Sequence, residues 1–370
     1  MKKIVMVGRD KAPSAAFEKL AQSLSVDGYE VKKYLGHGDP IPASVNDIVA
    51  DTVTANVLLS GMSSSPALVF EERIAICTAH DEGVPVLLYA DTHGAVKRSW
   101  FADVRKYVDA IFVVSHKEAE DARGIFPNIG KNGIVLSGNP IVEESFFPKT
   151  TRQWVSERLG IREDEKMILI PGYKFPAITL PTVLATLDAL DMIPNINFYV
   201  VVSLHPGDDA WKANNGIYDE WVGYFLQTRE VTDLGNRVRV RVTCGKHPQE
   251  ENKIATPDML PRTDVVVATL STLEQEAACQ RIPVVEYLTA IALDRMEKNF
   301  GTRRWEPCRQ GIAFEVFANH TLLADVIKIF LTPAGRKSLH PAQERHYPRP
   351  LRPGHALAVM AETVKSYVEK

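Results

Sequence analysis

The chain has 370 residues, enough for two domains with separate cores, and its 45% apolar and 24% charged residues are ordinary for a globular protein. A net charge of −3 and a pI near 6.4 give no bulk attraction to nucleic acid or anionic membrane, although a local basic patch stays open. No apolar run reaches the ~18 residues of a membrane span, and four scattered cysteines (Cys77, Cys244, Cys279, Cys308) without a CxxC spacing argue against a disulfide framework or structural zinc and for a reducing cytoplasm.

Met1 to Gly8 begins like a signal peptide, but its apolar core stops after four residues at Gly8-Arg9-Asp10 and reads better as a first buried strand. A strand-then-helix rhythm follows. Ser14–Leu24 is predicted helical, Glu30–Tyr34 a strand, and Asn56–Leu59 a strand ending at Ser60-Gly61. A helix is predicted from Pro66 to His80, with Phe70, Ile74 and Cys77 as its apolar face and Pro66 in the first turn. Val84–Tyr89 ends at Asp91-Thr92-His93-Gly94, Ala110–Val114 at Ser115-His116, and Ile134–Leu136 at Ser137-Gly138-Asn139-Pro140. Alternation at this interval implies a parallel sheet covered on both faces.

Asn139 to Thr151, with two prolines and no sustained apolar period, reads as a linker. A second series follows: strands at Met167–Ile170, Phe198–Leu204, Val238–Val242, Asp264–Ala268 and Val284–Glu286, with helices at about Thr179–Leu190, Pro257–Leu260, Thr272–Gln280 and Leu322–Leu331. The proline-rich Tyr347–Pro353 is an extended connector. The amphipathic helix His355–Val368 that follows it can return to the first domain. The expected boundaries are therefore 1–145 plus 354–370 for one doubly wound domain and 146–353 for another.

In a parallel sheet the polar residues that stop each strand gather at the carboxyl edge, where ligands bind. Ser271 and Thr272 open a helix there, and their hydroxyls and free N–H groups suit a pyrophosphate. The plain alternative is a capping box between Ser271 and Glu274, and both can hold. Glu276, one turn on, can accept from ribose hydroxyls or be a solvated helix glutamate. His205 before Pro206 can meet a phosphate or sugar, or bond only to backbone. Gly172 allows close approach of a ligand, Lys174 can neutralise a departing diphosphate, and the loop at Gly245 can read a base. Asp91, His93 and Asp10 are the candidates for a general base, while His116 reads as a helix cap.

Absences narrow the field. There is no GxGxxG after the first strand, no GxxxxGK[ST], no HExxH and no GxSxG. No Asp-x-Asp pair occurs, so neither a carboxylate-held metal on a diphosphate nor any other cofactor is expected.

Ser137-Gly138-Asn139-Pro140, Pro171-Gly172, Leu204-His205-Pro206 and the Ser-Thr-x-x-x-Glu-Ala-Ala core within Asp264 to Pro283 resemble the GT-B superfamily of sugar-nucleotide enzymes. Lipid A disaccharide synthase, MurG-type transferases and the non-hydrolysing UDP-N-acetylglucosamine 2-epimerases are the nearest likenesses. The resemblance implies two Rossmann-like domains facing a cleft, with the acceptor on the first and the nucleotide-sugar on the second. It implies Ser271 and Thr272 on the diphosphate, Glu276 on the ribose and His205 near phosphate or base. Arg9-Asp10-Lys11-Ala12 is not the glycine-rich loop of MurG-type enzymes, and Glu274 and Glu276 are split by Gln275 where the epimerases pair them. The expected function is a metal-independent glycosyltransferase using a UDP-sugar. The alternatives are an epimerase of the same fold and a non-catalytic nucleotide-sugar-binding protein, and self-association is left open.

Overall fold

The computed structural model describes residues 2–126, 128–173, 175–205, 237–243, 254–300 and 302–369. The chain divides into two compact units, Met1–Glu144 with Arg345–Lys370, and Ser145–Glu344.

In the first unit six strands lie in the order β2-β1-β3-β4-β5-β6, all parallel: β1 Lys3–Gly8, β2 Glu30–Leu35, β3 Val57–Gly61, β4 Val86–Ala90, β5 Ala110–Val113 and β6 Ile134–Leu136. The central strands are apolar at successive positions because both faces are covered. Ile4, Met6, Leu59, Tyr89 and Phe112 face α1 (Lys11–Val26) and the last helix. Val5, Val7, Leu58, Leu88 and Val113 belong to the opposite core, with α2 (Val45–Val53), α3 (Phe70–Asp81) and α4 (His116–Ile125). The predicted Pro66–His80 helix is interrupted. Pro66–Leu68 is a 3-10 turn and α3 begins at Phe70. Its predicted face also points the other way. Phe70 is 60% exposed and lines an open groove of about 490 Å³ with Ile74 and Cys77, while Glu72, Ala75, Ile76 and Ala79 are buried. The helix has two apolar stripes, and the buried one tolerates Glu72 because its carboxyl is fully hydrogen-bonded, as described below. Ser115, not His116, caps α4, by accepting from the Glu118 N–H.

The second unit repeats the plan in the order β12-β11-β10-β7-β8-β9, again parallel: β7 Glu165–Pro171, β8 Asn197–Ser203, β9 Val238–Thr243, β10 Val265–Ala268, β11 Val284–Leu288 and β12 Phe314–Phe317. Numbered among the described residues, its helices are α5 Arg152–Leu159, α6 Pro176–Asp191, α7 Leu273–Cys279, α8 Ala290–Phe300, α9 Glu306–Gln310, α10 His320–Phe330, α11 Pro333–Lys337 and α12 His340–His346. One sheet face packs on α6 and α10, and the other on α5, α7 and the 3-10 segment Thr256–Arg262.

The last helix, α13 (His355–Val368), lays Met360, Val364 and Val368 on the first unit's sheet. Its first turn is anchored by Glu143, whose carboxylate accepts the N–H groups of His355 and Ala356 at 2.8 and 2.7 Å.

These strand orders mark a candidate ligand site in each unit. In the first unit the order reverses between β1 and β3, in the second between β7 and β10, and the crevice beyond the carboxyl ends at such a reversal is the usual ligand site of open α/β sheets. No described helix is long and apolar enough to cross a membrane.

Candidate active site

In the second unit the reversal is flanked by the turn after β7 and the turn after β10. The first is pinned from inside. Gly172 donates its N–H to the Ser203 carbonyl at 2.7 Å, and the Tyr173 N–H reaches Thr179 Oγ1 at 2.9 Å. A Cβ on Gly172 would stand 3.1 Å from the His205 nitrogen, 3.1 Å from Leu204 Cα and 3.2 Å from the Ser203 carbonyl oxygen. The close approach expected of a ligand is therefore made by the end of β8. His205 itself is exposed at that edge. Lys174 and Gly245 lie outside the described residues.

The turn after β10 is more tightly determined than a capping box. Thr269, 2% exposed, donates its hydroxyl to the Tyr287 carbonyl at 2.7 Å and shares a hydrogen bond with the Thr182 hydroxyl. Leu270 follows in the left-handed region at φ 55°, an unusual conformation for a leucine. Its N–H donates to Glu286 Oε1 at 2.7 Å, the Ser271 N–H donates to Glu274 Oε1 at 3.0 Å, and the Leu273 N–H donates to Ser271 Oγ at 3.3 Å. The expectation of bare N–H groups is thus corrected for three positions, because the protein's own oxygens occupy them. Thr272 is different. It is the N-cap of α7, exposed, and its hydroxyl makes no cap hydrogen bond. α7 spans seven residues, so its dipole contributes less than a long helix would.

Glu274 and Glu286 are both wholly buried. Trp305 Nε1 donates to Glu274 Oε1 at 3.0 Å, and the Glu274 and Glu286 carboxyls hydrogen-bond each other. Two carboxyls can do this only if one keeps its proton. Burial pushes Glu274 up to about 7, and burial followed by the charge of Glu274 holds Glu286 well above the usual carboxylate range. Glu276 is half-buried one turn along, pushed up to about 7 by burial and then by the charge of Asp258. Ala277 and Ala278 are buried and let α7 lie close on the sheet.

In the first unit the reversal is bridged by carboxyls. Glu72, wholly buried, accepts the Arg9 N–H at 3.2 Å from the β1 turn and the Ser63 N–H and hydroxyl at 3.0 and 2.9 Å from the β3 turn. Burial raises it to about 7 against those bonds. Gly61 must lack a side chain, since a Cβ would stand 2.9 Å from Glu72 Oε1. Asp10 fastens the same two turns from the other direction, accepting the Ser64 N–H at 2.6 Å.

Asp91, at the carboxyl end of β4, is 8% exposed. Its Oδ1 has no hydrogen-bond partner among the described residues, although Arg98 Nη1 stands 3.6 Å away. Burial pushes Asp91 up to about 6; Arg98 opposes this and Asp10 adds to it. His93 lies beyond it in a loop held by the Gly94 N–H to Glu118 Oε1 bond at 2.7 Å. Its ring meets His346 and Tyr347 edge-on, and both ring nitrogens are buried with no partner among the described residues. Burial lowers it to about 3. A group so weakly basic is a poor proton acceptor at neutral pH, whereas a carboxylate near 6 is ionised and still basic enough to act.

The first unit therefore brings Asp10 and Asp91 together and turns His93 towards aromatic neighbours. Glu72, Arg98 and Glu286 were missed in the sequence. A signal existed for Glu286, a lone acid inside the apolar run Val284-Val285-Glu286-Tyr287-Leu288, and none for Glu72. Among the described residues no group of three or more His, Cys, Asp or Glu side chains is placed to hold a metal ion.

No protein-family model matches the chain, and no curated protein does. Solved structures do. A glycosyltransferase from Rickettsia africae superposes with a TM-score of 0.54 at 10% identity, covering 100% of this chain and 99% of that one. MnaA of S. aureus, solved with UDP, gives 0.55 at 13% identity over 100% and 97%. The UDP-GlcNAc 2-epimerase of Methanocaldococcus jannaschii gives 0.56 at 11% identity over 99% and 100%. The chain has the GT-B fold, each unit being one of its Rossmann-like domains.

Proposed function

We propose that this protein is a glycosyltransferase that takes a sugar from a nucleotide-activated donor, a UDP-sugar, and passes it to an acceptor hydroxyl. The second unit holds the donor at the reversal between β7 and β10, and the first supplies the base. The observation that carries the reading is Asp91. A buried carboxylate whose Oδ1 faces Arg98 at 3.6 Å but has no hydrogen-bond partner among the described residues, raised to about 6 at the carboxyl edge of a doubly wound sheet, is a general base in waiting. The likeness to a glycosyltransferase and to a protein solved with UDP supports it.

In the proposed reaction Asp91 takes the acceptor's hydroxyl proton and the acceptor oxygen bonds to the anomeric carbon. The bond from that carbon to the donor phosphate breaks, and the nucleoside diphosphate leaves with the electron pair. Asp10 tunes Asp91 through its charge, and Glu72 fixes the turns on which Asp10 stands. The Thr272 hydroxyl meets the leaving diphosphate, where a donor aimed at developing charge is most effective.

A thermal-shift screen against UDP, GDP, CDP and ADP tests the donor site, with UDP expected to raise the melting temperature most. No response to any nucleoside diphosphate overturns the reading. The second reading is epimerisation, which the fold shares with the M. jannaschii enzyme. Incubation with a UDP-sugar alone separates them, since an epimer forms without any acceptor whereas transfer releases UDP only when an acceptor is present.

A further inference from the structure

A diphosphate brings negative charge, and the turn after β10 has already spent the N–H groups of Leu270, Ser271 and Leu273 on the protein's own oxygens. Among the described residues, a cation at that edge has to come from beyond that turn. Arg295, on α8, is half-buried, and its guanidinium carbon lies 4.4 Å from the centre of the Phe175 ring. Its Nε is buried with no hydrogen-bond partner, and no carboxylate pairs with it among the described residues. The acids beside it on the same helix are engaged elsewhere, Asp294 with Lys298 at 2.8 Å and Glu297 with Arg303 at 3.6 Å.

Its position follows from the packing. Phe175 is the N-cap of α6, immediately beyond the β7 turn, and its ring meets Tyr173. Tyr173 packs in one apolar cluster with Leu270, Leu288, Ala292 and Met296, so α8 is joined to both turns that flank the reversal. An arginine held over an aromatic ring keeps its planar fork in one orientation, which leaves its terminal N–H groups, rather than the buried Nε, as the donors a ligand can meet.

We infer that Arg295 is an anion-binding residue of the donor site, its guanidinium braced by Phe175 to grip the diphosphate of the nucleotide-sugar. This rests on the function proposed above. A fork of N–H donors matches phosphate oxygens bidentately and offsets the charge that builds as the diphosphate leaves.

The test is calorimetry of wild type, Arg295→Met and Arg295→Gln with UDP and with uridine, beside their melting curves without ligand. UDP affinity should fall by about 10- to 100-fold in both variants, in line with the loss of charge-assisted hydrogen bonds. Uridine affinity and the ligand-free melting temperature should stay at the wild-type level. Equal UDP affinity in wild type and a folded variant overturns this inference and leaves the proposed function standing. An equal loss for uridine and UDP overturns it too, because the residue would then act on the nucleoside or on the fold. If wild type binds no UDP, both readings fail together. Should Arg295→Met melt early, Arg295→Gln, which retains a polar stem, carries the same comparison.

Discussion

Glu286 accepts the N–H of Leu270 at 2.7 Å, so a wholly buried carboxyl on β11 holds the one residue of the β10 turn whose backbone is left-handed. The turn that presents Thr272 is thus set by a side chain from the neighbouring strand, and that side chain depends on a proton shared with Glu274.

A pH dependence of stability follows. Both acids are raised in the folded state, so the stabilisation is complete below the unfolded carboxylate range near 4.5; the part owed to Glu274 is lost as pH rises through about 7, and Glu286, held well above the usual carboxylate range, acts in the same direction. Glu286→Gln keeps an oxygen for Leu270 and supplies a permanent donor to Glu274. In urea unfolding the variant should lose less stability than wild type between pH 5 and pH 8. A parallel loss in the two proteins would show that the pair does not share a proton.

Asp91→Asn should lower turnover by roughly 100-fold or more while leaving nucleoside diphosphate affinity intact. In wild type, kcat/KM should fall as pH drops below about 6, where Asp91 becomes protonated. A pH profile measured with any active acceptor checks the limb.

Ser271 and Thr272 should separate. Ser271 Oγ holds the Leu273 N–H, so Ser271→Ala should cost about 1 kcal/mol of stability. Thr272 is exposed and caps nothing with its side chain, so Thr272→Ala should leave the melting temperature unchanged and weaken UDP binding. Melting curves and calorimetry on the two single variants distinguish the roles.

Gly172→Ala should destabilise by about 1–3 kcal/mol, because the added methyl meets backbone atoms of Ser203, Leu204 and His205 that cannot swing aside. Chemical denaturation measures the loss, and weaker UDP binding should accompany it as the His205 turn is displaced.

The strands were legible because burial on both faces forces unbroken apolar runs, and their polar stops mark the carboxyl edge whatever the chemistry. Helix faces were less so. Phe70, Ile74 and Cys77 are as regularly spaced as Ala75, Ile76 and Ala79, and periodicity does not say which stripe meets the sheet. The helix predicted from about Thr179 starts earlier, with Pro176 in its first turn. At the candidate site, Ser271 and Thr272 drew attention as hydroxyls, but nothing in their neighbourhood announces that Glu286 on the next strand consumes the Leu270 N–H. Contacts between distant segments decide which donors stay free, and they depend on strand order rather than on local sequence.

The anchoring of α13 by Glu143 has a bearing on synthesis. Ser145–Glu344 is one unbroken stretch and can close its core as soon as it leaves the ribosome, whereas the earlier residues must wait for Met360 and Val364 to seal the sheet surface around Tyr89 and Phe112. Until then the nascent chain carries an uncovered oily face, and a version stopped before Gly354 keeps it permanently, a ready substrate for chaperones and proteases.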